Sequence, residues 1–73
     1  MVHSIISTPN TKTGFVFEIF NDTENKEYLY KVWNPSGARV FYDVIQYTPE
    51  NEHAMFAKIL NQLSIDFVAY TGK

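Results

Sequence analysis

The chain has 73 residues, a net charge of −2 and no cysteine. This length leaves room for one domain, so we expect residues 1–73 to form a single unit. The lack of cysteine excludes disulfides and thiolate metal sites. With only six Lys and Arg residues, the chain lacks the clustered positive charge typical of a dedicated nucleic-acid-binding protein.

No segment approaches the ~20 apolar residues that a membrane-spanning helix needs. The first residues also lack the basic and apolar regions of a signal peptide. We therefore expect an intracellular protein that does not insert into membranes.

Turn-rich clusters at residues 8–14 and 21–27 divide the first half of the chain into short elements. The segments 3–7, 15–20 and 27–33 are rich in aromatic and β-branched residues, which predicts three strands. Segment 38–47 is ambiguous, because its apolar residues also fit a helical stripe. Its β-branched and aromatic content, together with the Asn-Pro-Ser-Gly turn before it, favours a fourth strand.

A helix is predicted over residues 48–64. Thr48 is a typical N-cap, Pro49 suits the first helical position, and acidic residues follow in the first turn. Apolar side chains then recur every three or four residues, which predicts one buried face. Residues 66–70, with the sequence DFVAY, return to strand character. The expected fold is a small α+β domain of order β-β-β-β-α-β, with one amphipathic helix packed on one face of an antiparallel sheet.

Successive side chains of a strand point to opposite faces, and three predicted strands each carry one charge at the middle of one face. These charges are Glu18, Lys31 and Asp43. Placing Glu18 opposite Lys31 leaves a short turn, and placing Lys31 opposite Asp43 centres the next turn on Gly37. We therefore expect a Glu18–Lys31–Asp43 row on one face, with the charge-free face buried under the helix.

The charge-bearing face is unusually apolar around this row. Large apolar patches with a few central charges are typical of interaction surfaces, and Trp and Tyr are enriched at binding hot spots. We predict a partner-binding surface made of Phe20, Leu29, Trp33, Phe41, Ile45, Glu18, Lys31 and Asp43. The alternative is that the first and last strands fold over this face and complete a barrel-like core.

These features predict a non-enzymatic protein-binding module of the adaptor or inhibitor type. By analogy of size, it matches small accessory proteins of viruses and mobile elements. The partner is another protein or a second copy of the chain. Two alternatives stay open: a single-stranded nucleic-acid-binding domain that uses Tyr28, Tyr30 and Tyr42, and a structural homo-oligomer.

No catalytic, metal or cofactor site is predicted. The Glu-x-x-His pattern at Glu50 and His53 is half of a di-iron motif, but the chain lacks the second copy that such a site needs. Glu18 and Asp43 are candidates for an acid–base pair. The placement of Lys31 between them favours a row of ion pairs instead.

Overall fold

Four antiparallel strands followed by one helix form the part of the chain that the computed structural model describes, residues 1–71. The strands lie in the order β1-β2-β3-β4 in one open sheet, so each pairs with its neighbour in the sequence. The predicted small α+β fold, with one helix against an antiparallel sheet, is confirmed. The elements are β1 (Val2–Pro9), β2 (Val16–Asp22), β3 (Glu27–Trp33), β4 (Arg39–Gln46) and α1 (Glu52–Thr71).

The helix begins with a reciprocal pair of hydrogen bonds between Thr48 and Asn51. The Asn51 N–H donates to Thr48 Oγ1 at 3.3 Å, and the Thr48 N–H donates to Asn51 Oδ1 at 2.7 Å. This is a capping box with asparagine in place of the usual glutamate. Thr48 therefore caps the turn that leads into α1. The first helical hydrogen bond runs from the Met55 N–H to the Asn51 carbonyl oxygen, and α1 begins at Glu52, so the predicted helix start at residue 48 is four residues early.

Helix α1 continues to Thr71, so the predicted strand at residues 66–70 is wrong. Phe67 and Tyr70 extend the apolar stripe of the helix by another turn. The Phe67 ring lies 5.4 Å from the Phe17 ring, and the Tyr70 ring stacks on Phe15 at 4.7 Å. A short aromatic run fits a strand or a helix equally well, and here packing against β2 selects the helix.

The core lies between α1 and one face of the sheet. The face of β2 and β3 that carries no charge is buried, as predicted, and burying each large apolar side chain contributes roughly 1.5–3 kcal/mol. The buried cluster consists of Phe17, Ile19, Tyr28, Tyr30, Val32, Ile59 and Leu63.

Two tyrosine hydroxyls attach the sheet to carboxylates of the helix. Tyr28 donates to Glu52 at 3.3 Å, and Tyr30 donates to Asp66 at 2.7 Å. Burial, with the neighbouring Glu52 carboxylate, raises the pKa of Tyr28 from 10.0 to about 12. Burial and the hydrogen bond to Asp66 raise the pKa of Tyr30 further. Both phenols therefore stay protonated donors well above neutral pH.

Asn10 anchors the loop between β1 and β2. Its side chain is only 1% exposed, and its Oδ1 accepts the N–H groups of Lys12 at 3.0 Å and Thr13 at 3.2 Å. Its Nδ2 makes a longer contact of 3.5 Å with the carbonyl oxygen of Phe67 in α1. A buried amide needs such partners to offset its lost hydration, so Asn10 fixes the loop and links it to the helix.

A β-bulge interrupts the pairing of β3 with β4 next to their connecting turn. Val32 pairs with Phe41, but Trp33 pairs with Arg39, so Val40 is an extra residue without its own partner in the ladder. A bulge of one residue exchanges the two faces of a strand, because successive side chains alternate.

The bulge overturns one of the two predicted registers. Glu18 lies opposite Lys31, as predicted. Lys31, however, lies opposite Tyr42 rather than Asp43, so the predicted pairing of Lys31 with Asp43 is wrong by one residue. The β4 side chains beyond the bulge consequently occupy the faces opposite to those predicted.

Candidate functional site

The sheet face turned away from α1 is not covered by any other element of residues 1–71, and we call it the open face. β1 extends the sheet at its edge instead of folding over it, and residues 66–70 belong to the helix on the other side. The central rows of the open face, read from β1 to β4, are Ser4, Phe20, Leu29 and Val44; Ser7, Glu18, Lys31 and Tyr42; and Pro9, Val16, Trp33 and Arg39.

Five of the eight predicted partner-binding residues lie on the open face, and all five come from β2 and β3. Their side chains shield one another: Leu29 is only 9% exposed, and the others are half-buried. The five are Glu18, Phe20, Leu29, Lys31 and Trp33.

The three predicted residues from β4 lie on the helix side. Phe41 meets the ring of Tyr30 edge-on at 5.5 Å, and Ile45 packs against the buried core. Asp43 lies opposite Tyr30, is exposed, and accepts the N–H of Val44. The predicted row of Glu18, Lys31 and Asp43 is therefore not formed.

Tyr42, Val44 and Arg39 take the places expected for the three β4 residues. Alternation separates Tyr42 and Val44 from Phe41, Asp43 and Ile45, and the extra residue at Val40 brings Arg39 onto the same face as Tyr42. Nothing in the local composition marks Val40 as a bulge. The one available signal is Gly37, whose positive φ of 89° fits the short, irregular hairpin loops that often carry a bulge.

Trp33 is held in one orientation by Glu18. The indole Nε1 donates to Glu18 Oε1 at 2.7 Å, and Ser7 Oγ donates to Glu18 Oε2 at 3.2 Å. Both carboxylate oxygens thus accept a hydrogen bond from a side chain on the same face. The indole is half-buried, so one part is fixed by Glu18 while the remainder meets solvent.

Trp33 forms one wall of a shallow depression of about 360 Å³ at the end of the open face. Val16 and Glu18 form the sheet side of the depression, and the turn around Pro35 forms its rim. Apolar concavities of this kind accept a single large side chain of a partner protein.

Two cations lie over aromatic rings on the β4 side of the open face. The guanidinium of Arg39 lies 4.7 Å from the centre of the Tyr42 ring. The ammonium of Lys31 lies 5.0 Å from the Phe20 ring and 6.0 Å from the Tyr42 ring. Such contacts hold a cation in place without neutralising its charge. Within residues 1–71, neither cation forms a salt bridge with a carboxylate.

The two edges of the sheet differ in their backbone donors. Both β1 and β4 are exposed and have one irregularity in their register. β1 ends at Pro9, which has no N–H group, whereas β4 contains no proline. β4 is therefore the edge better suited to pair with another strand.

Other kinds of site find little support in the described residues. Residues 1–71 hold no group of three or more His, Asp or Glu side chains placed to bind a metal ion. In the same part of the chain, no helix has the length and apolarity needed to cross a membrane. Comparison with known proteins found no matching family model, curated protein or solved structure.

Proposed function

We propose that this protein is a non-enzymatic protein-binding module, of the adaptor or inhibitor type, that docks through the open face and the adjoining β4 edge. The observation that carries the proposal is an uncovered, largely apolar sheet face on which Trp33 is fixed by Glu18. Tryptophan dominates many protein interfaces. An indole that is already ordered loses little rotamer freedom on binding. We place the activity inside a cell, because a chain without cysteine shows no adaptation to an oxidising compartment.

An enzymatic role is not favoured by the geometry of the acidic side chains. Glu18 faces the open side while Asp43 faces the helix side, so the sheet separates the two members of the acid–base pair considered from the sequence. The Glu18 oxygens already accept bonds from Trp33 and Ser7. This arrangement suits a structural and orienting role for Glu18.

Binding of single-stranded nucleic acid loses two of its three proposed stacking residues. Tyr28 is 4% exposed and Tyr30 is fully buried under α1, so neither ring is accessible to a base. Tyr42 remains on the open face with Lys31 and Arg39 nearby. One exposed ring and two cations form a small platform compared with those that bind nucleic acid by stacking.

The size of the open face bears on the homo-oligomer alternative. Four strands ~4.8 Å apart and seven residues at ~3.3 Å each make a face of roughly 19 by 23 Å. Two such faces packed together bury about 900 Å², which is below the roughly 1,200 Å² of stable interfaces. Self-packing through this face alone is therefore expected to be weak, and a partner that also contacts the β4 edge gains additional area.

The proposal is tested with fluorotryptophan incorporated at Trp33, the only tryptophan in the chain. A protein captured from the producing cells is purified and titrated into the labelled chain, and the fluorine NMR signal is followed. Docking on the open face shifts that signal. We expect Phe20→Ala to lower the affinity at least tenfold, about 1.4 kcal/mol, because a hot-spot contact is removed.

Ile65→Ala is the matched control, because Ile65 is 54% exposed on α1 and its truncation removes apolar surface on the other side of the molecule. We expect this variant to bind like the unmodified chain. A partner whose affinity is insensitive to Phe20→Ala, or equally sensitive to Ile65→Ala, would contradict docking through the open face. Sedimentation of the free chain separates the homo-oligomer from the monomeric adaptor.

A further inference from the structure

We propose that the partner supplies an extended acidic segment that pairs with β4 as a fifth strand and places carboxylates beside Lys31 and Arg39. The inference depends on the proposed function and specifies the chemistry of the partner. Side chains of the added strand would be acidic on the open-face side and apolar on the helix side.

The backbone of β4 can accept a further strand. β4 pairs only with β3, so within residues 1–71 its outer side has no partner strand. Alternate residues of this strand point their N–H and C=O groups outward, and an extended peptide can add to these groups by main-chain hydrogen bonds. Among the N–H groups of β4, that of Val44 already donates to Asp43 Oδ1 at 2.9 Å. The other edge of the sheet, β1, ends at Pro9, which has no N–H group to donate to an added strand.

The open face next to β4 is positively charged. Lys31 and Arg39 are oriented by aromatic rings, yet no carboxylate of the described residues pairs with them. Glu18 lies opposite Lys31, but its oxygens accept hydrogen bonds from Trp33 and Ser7. Two fixed cations without a carboxylate partner are complementary to an acidic ligand.

The spacing of strands places these cations within reach of an added segment. A fifth strand would lie ~4.8 Å from β4, and its side chain opposite Tyr42 would be about 4.5–5.5 Å away at Cβ. An aspartate or glutamate at that position reaches the Arg39 guanidinium above the Tyr42 ring. Charge-assisted contacts of this type are among the stronger hydrogen bonds in proteins.

The helix side of β4 selects different side chains. Phe41 is 40% exposed on the helix side. An apolar side chain of the added strand would pack beside the Phe41 ring and enlarge the apolar cluster that Phe41 forms with Tyr30. Asp43 is exposed on the same side and would repel an acidic neighbour. Acidic residues are therefore favoured on one face of the added strand only, which gives the alternation of acidic and apolar residues.

A second copy of this chain does not meet these requirements. Two copies of the chain could pair their β4 strands antiparallel about a two-fold axis perpendicular to the sheet. The open faces of both copies would then lie on the same side of the joined sheet. The only carboxylate of β4 is Asp43, which lies on the helix side and cannot approach Arg39 of the other copy. Registers centred on Asp43 would also place two carboxylates opposite each other.

The same charges argue against a nucleic acid as the occupant. The open face extends at the end near the β2–β3 turn to Asp22 and Glu27, which pair with each other across β2 and β3. A polyanion running along the sheet would approach these acids, whereas a short acidic peptide along β4 contacts only the basic end.

The test uses the isotope-labelled chain and a peptide of alternating glutamate and valine, with a lysine–valine peptide and a thymidine oligonucleotide as comparison ligands. At millimolar glutamate–valine peptide, we expect amide shifts concentrated in β4 and slower hydrogen exchange of its outward N–H groups. Arg39→Ala and Lys31→Ala should each weaken binding about tenfold, and Arg39→Lys should retain part of it.

Lys58→Ala is the control, since it removes one charge from an exposed position of α1 and should leave the affinity unchanged. Dispersed amide spectra verify that every variant is folded. The inference is overturned if no β4 amide shifts, if the shifts map to β1, if the lysine peptide binds equally, or if only the oligonucleotide binds. If the glutamate–valine peptide fails while a captured partner still depends on Phe20, the proposed function stands and the acidic-strand inference alone is wrong.

Discussion

Gly14 lies where the β1–β2 loop meets the turn between β3 and β4. Its φ of +83° is in the left-handed region, and a Cβ at this position would lie 3.1 Å from Cβ and Cγ of Pro35. Gly37 has a similar φ of +89°, but a Cβ there would meet nothing within 4 Å. The two glycines therefore share a backbone requirement and differ in their surroundings.

Substituting each glycine by alanine separates these effects. Gly37→Ala is expected to lower the free energy of unfolding by about 1–2 kcal/mol, because a Cβ is disfavoured at positive φ. Gly14→Ala should lower it by a further ~1–3 kcal/mol, because the methyl group crowds Pro35. Urea denaturation of both variants measures the difference in the free energy of unfolding. Equal losses in the two variants would show that the loop around Gly14 moves away from Pro35 without loss of stability.

The sequence of β4 predicts a strand but not its register. The strand itself and its division into two faces follow from its composition and alternation. Its register depends on the bulge at Val40, which arises from the geometry of the hairpin. Gly37 indicates an irregular turn but not the position of the bulge. The five proposed site residues on β2 and β3 share one face, as predicted, because no bulge separates those two strands.

The predicted strand at residues 66–70, which is the end of α1, is wrong for a different reason. Residues 66–70 have strand-like composition, but Phe67 and Tyr70 also continue the spacing of Ile59 and Leu63 along the helix. The composition of residues 66–70 predicts a strand, whereas the spacing of their apolar residues predicts a helix. The helix is the structure that buries these apolar side chains against β2. Contact with the distant Phe15 and Phe17 rings decides the outcome, and a local pattern does not contain that information.

The attachment of α1 to the sheet predicts a loss of stability in alkali. Tyr28 and Tyr30 have folded-state pKa values raised above the ordinary 10.0, to about 12 for Tyr28 and further for Tyr30. Because the pKa of each tyrosine is higher in the folded state than in the unfolded state, the fold is stabilised in full at pH values below the unfolded-state pKa of about 10. This stabilisation declines as the pH rises from about 10 through the folded-state pKa. We expect the free energy of unfolding to fall steadily over that interval.

Tyr30→Phe removes one of these phenols and should reduce the steepness of the alkaline decline. It should also lower stability near neutral pH by about 0.5–1.5 kcal/mol, through loss of the hydrogen bond to Asp66. Urea denaturation followed by circular dichroism at several pH values measures both effects. An unchanged slope in the variant would mean that the Tyr30 hydroxyl does not control the alkaline transition.

The sheet has one face under α1 and one face in solvent, so its two sets of large side chains contribute differently to the stability of the domain. A chain of 73 residues is expected to have a free energy of unfolding of about 4–11 kcal/mol. The loss of one well-packed side chain therefore removes a large part of the total, whereas truncation on the open face removes less.

Ile59 and Trp33 provide the comparison. Ile59 is 1% exposed in the core, and Ile59→Ala is expected to cost about 2–5 kcal/mol and to bring the chain close to unfolding. Trp33→Ala should cost less than ~2 kcal/mol and leave the domain folded, because the indole is half-buried and its main partner is Glu18. Thermal melts followed by circular dichroism measure both. Unfolding of Trp33→Ala would identify Trp33 as a structural residue.

The order of elements along the chain matters for the route by which the fold forms. All four strands precede α1, and each pairs only with a neighbour in sequence, so every strand pairing closes a short loop. Contacts between α1 and β2 close longer loops, whose closure costs more entropy. We therefore expect the sheet to pair before α1 docks, with both of its faces bare until then, including the aromatic face of Phe17 and Tyr30. Docking of α1 leaves only the Trp33 side accessible.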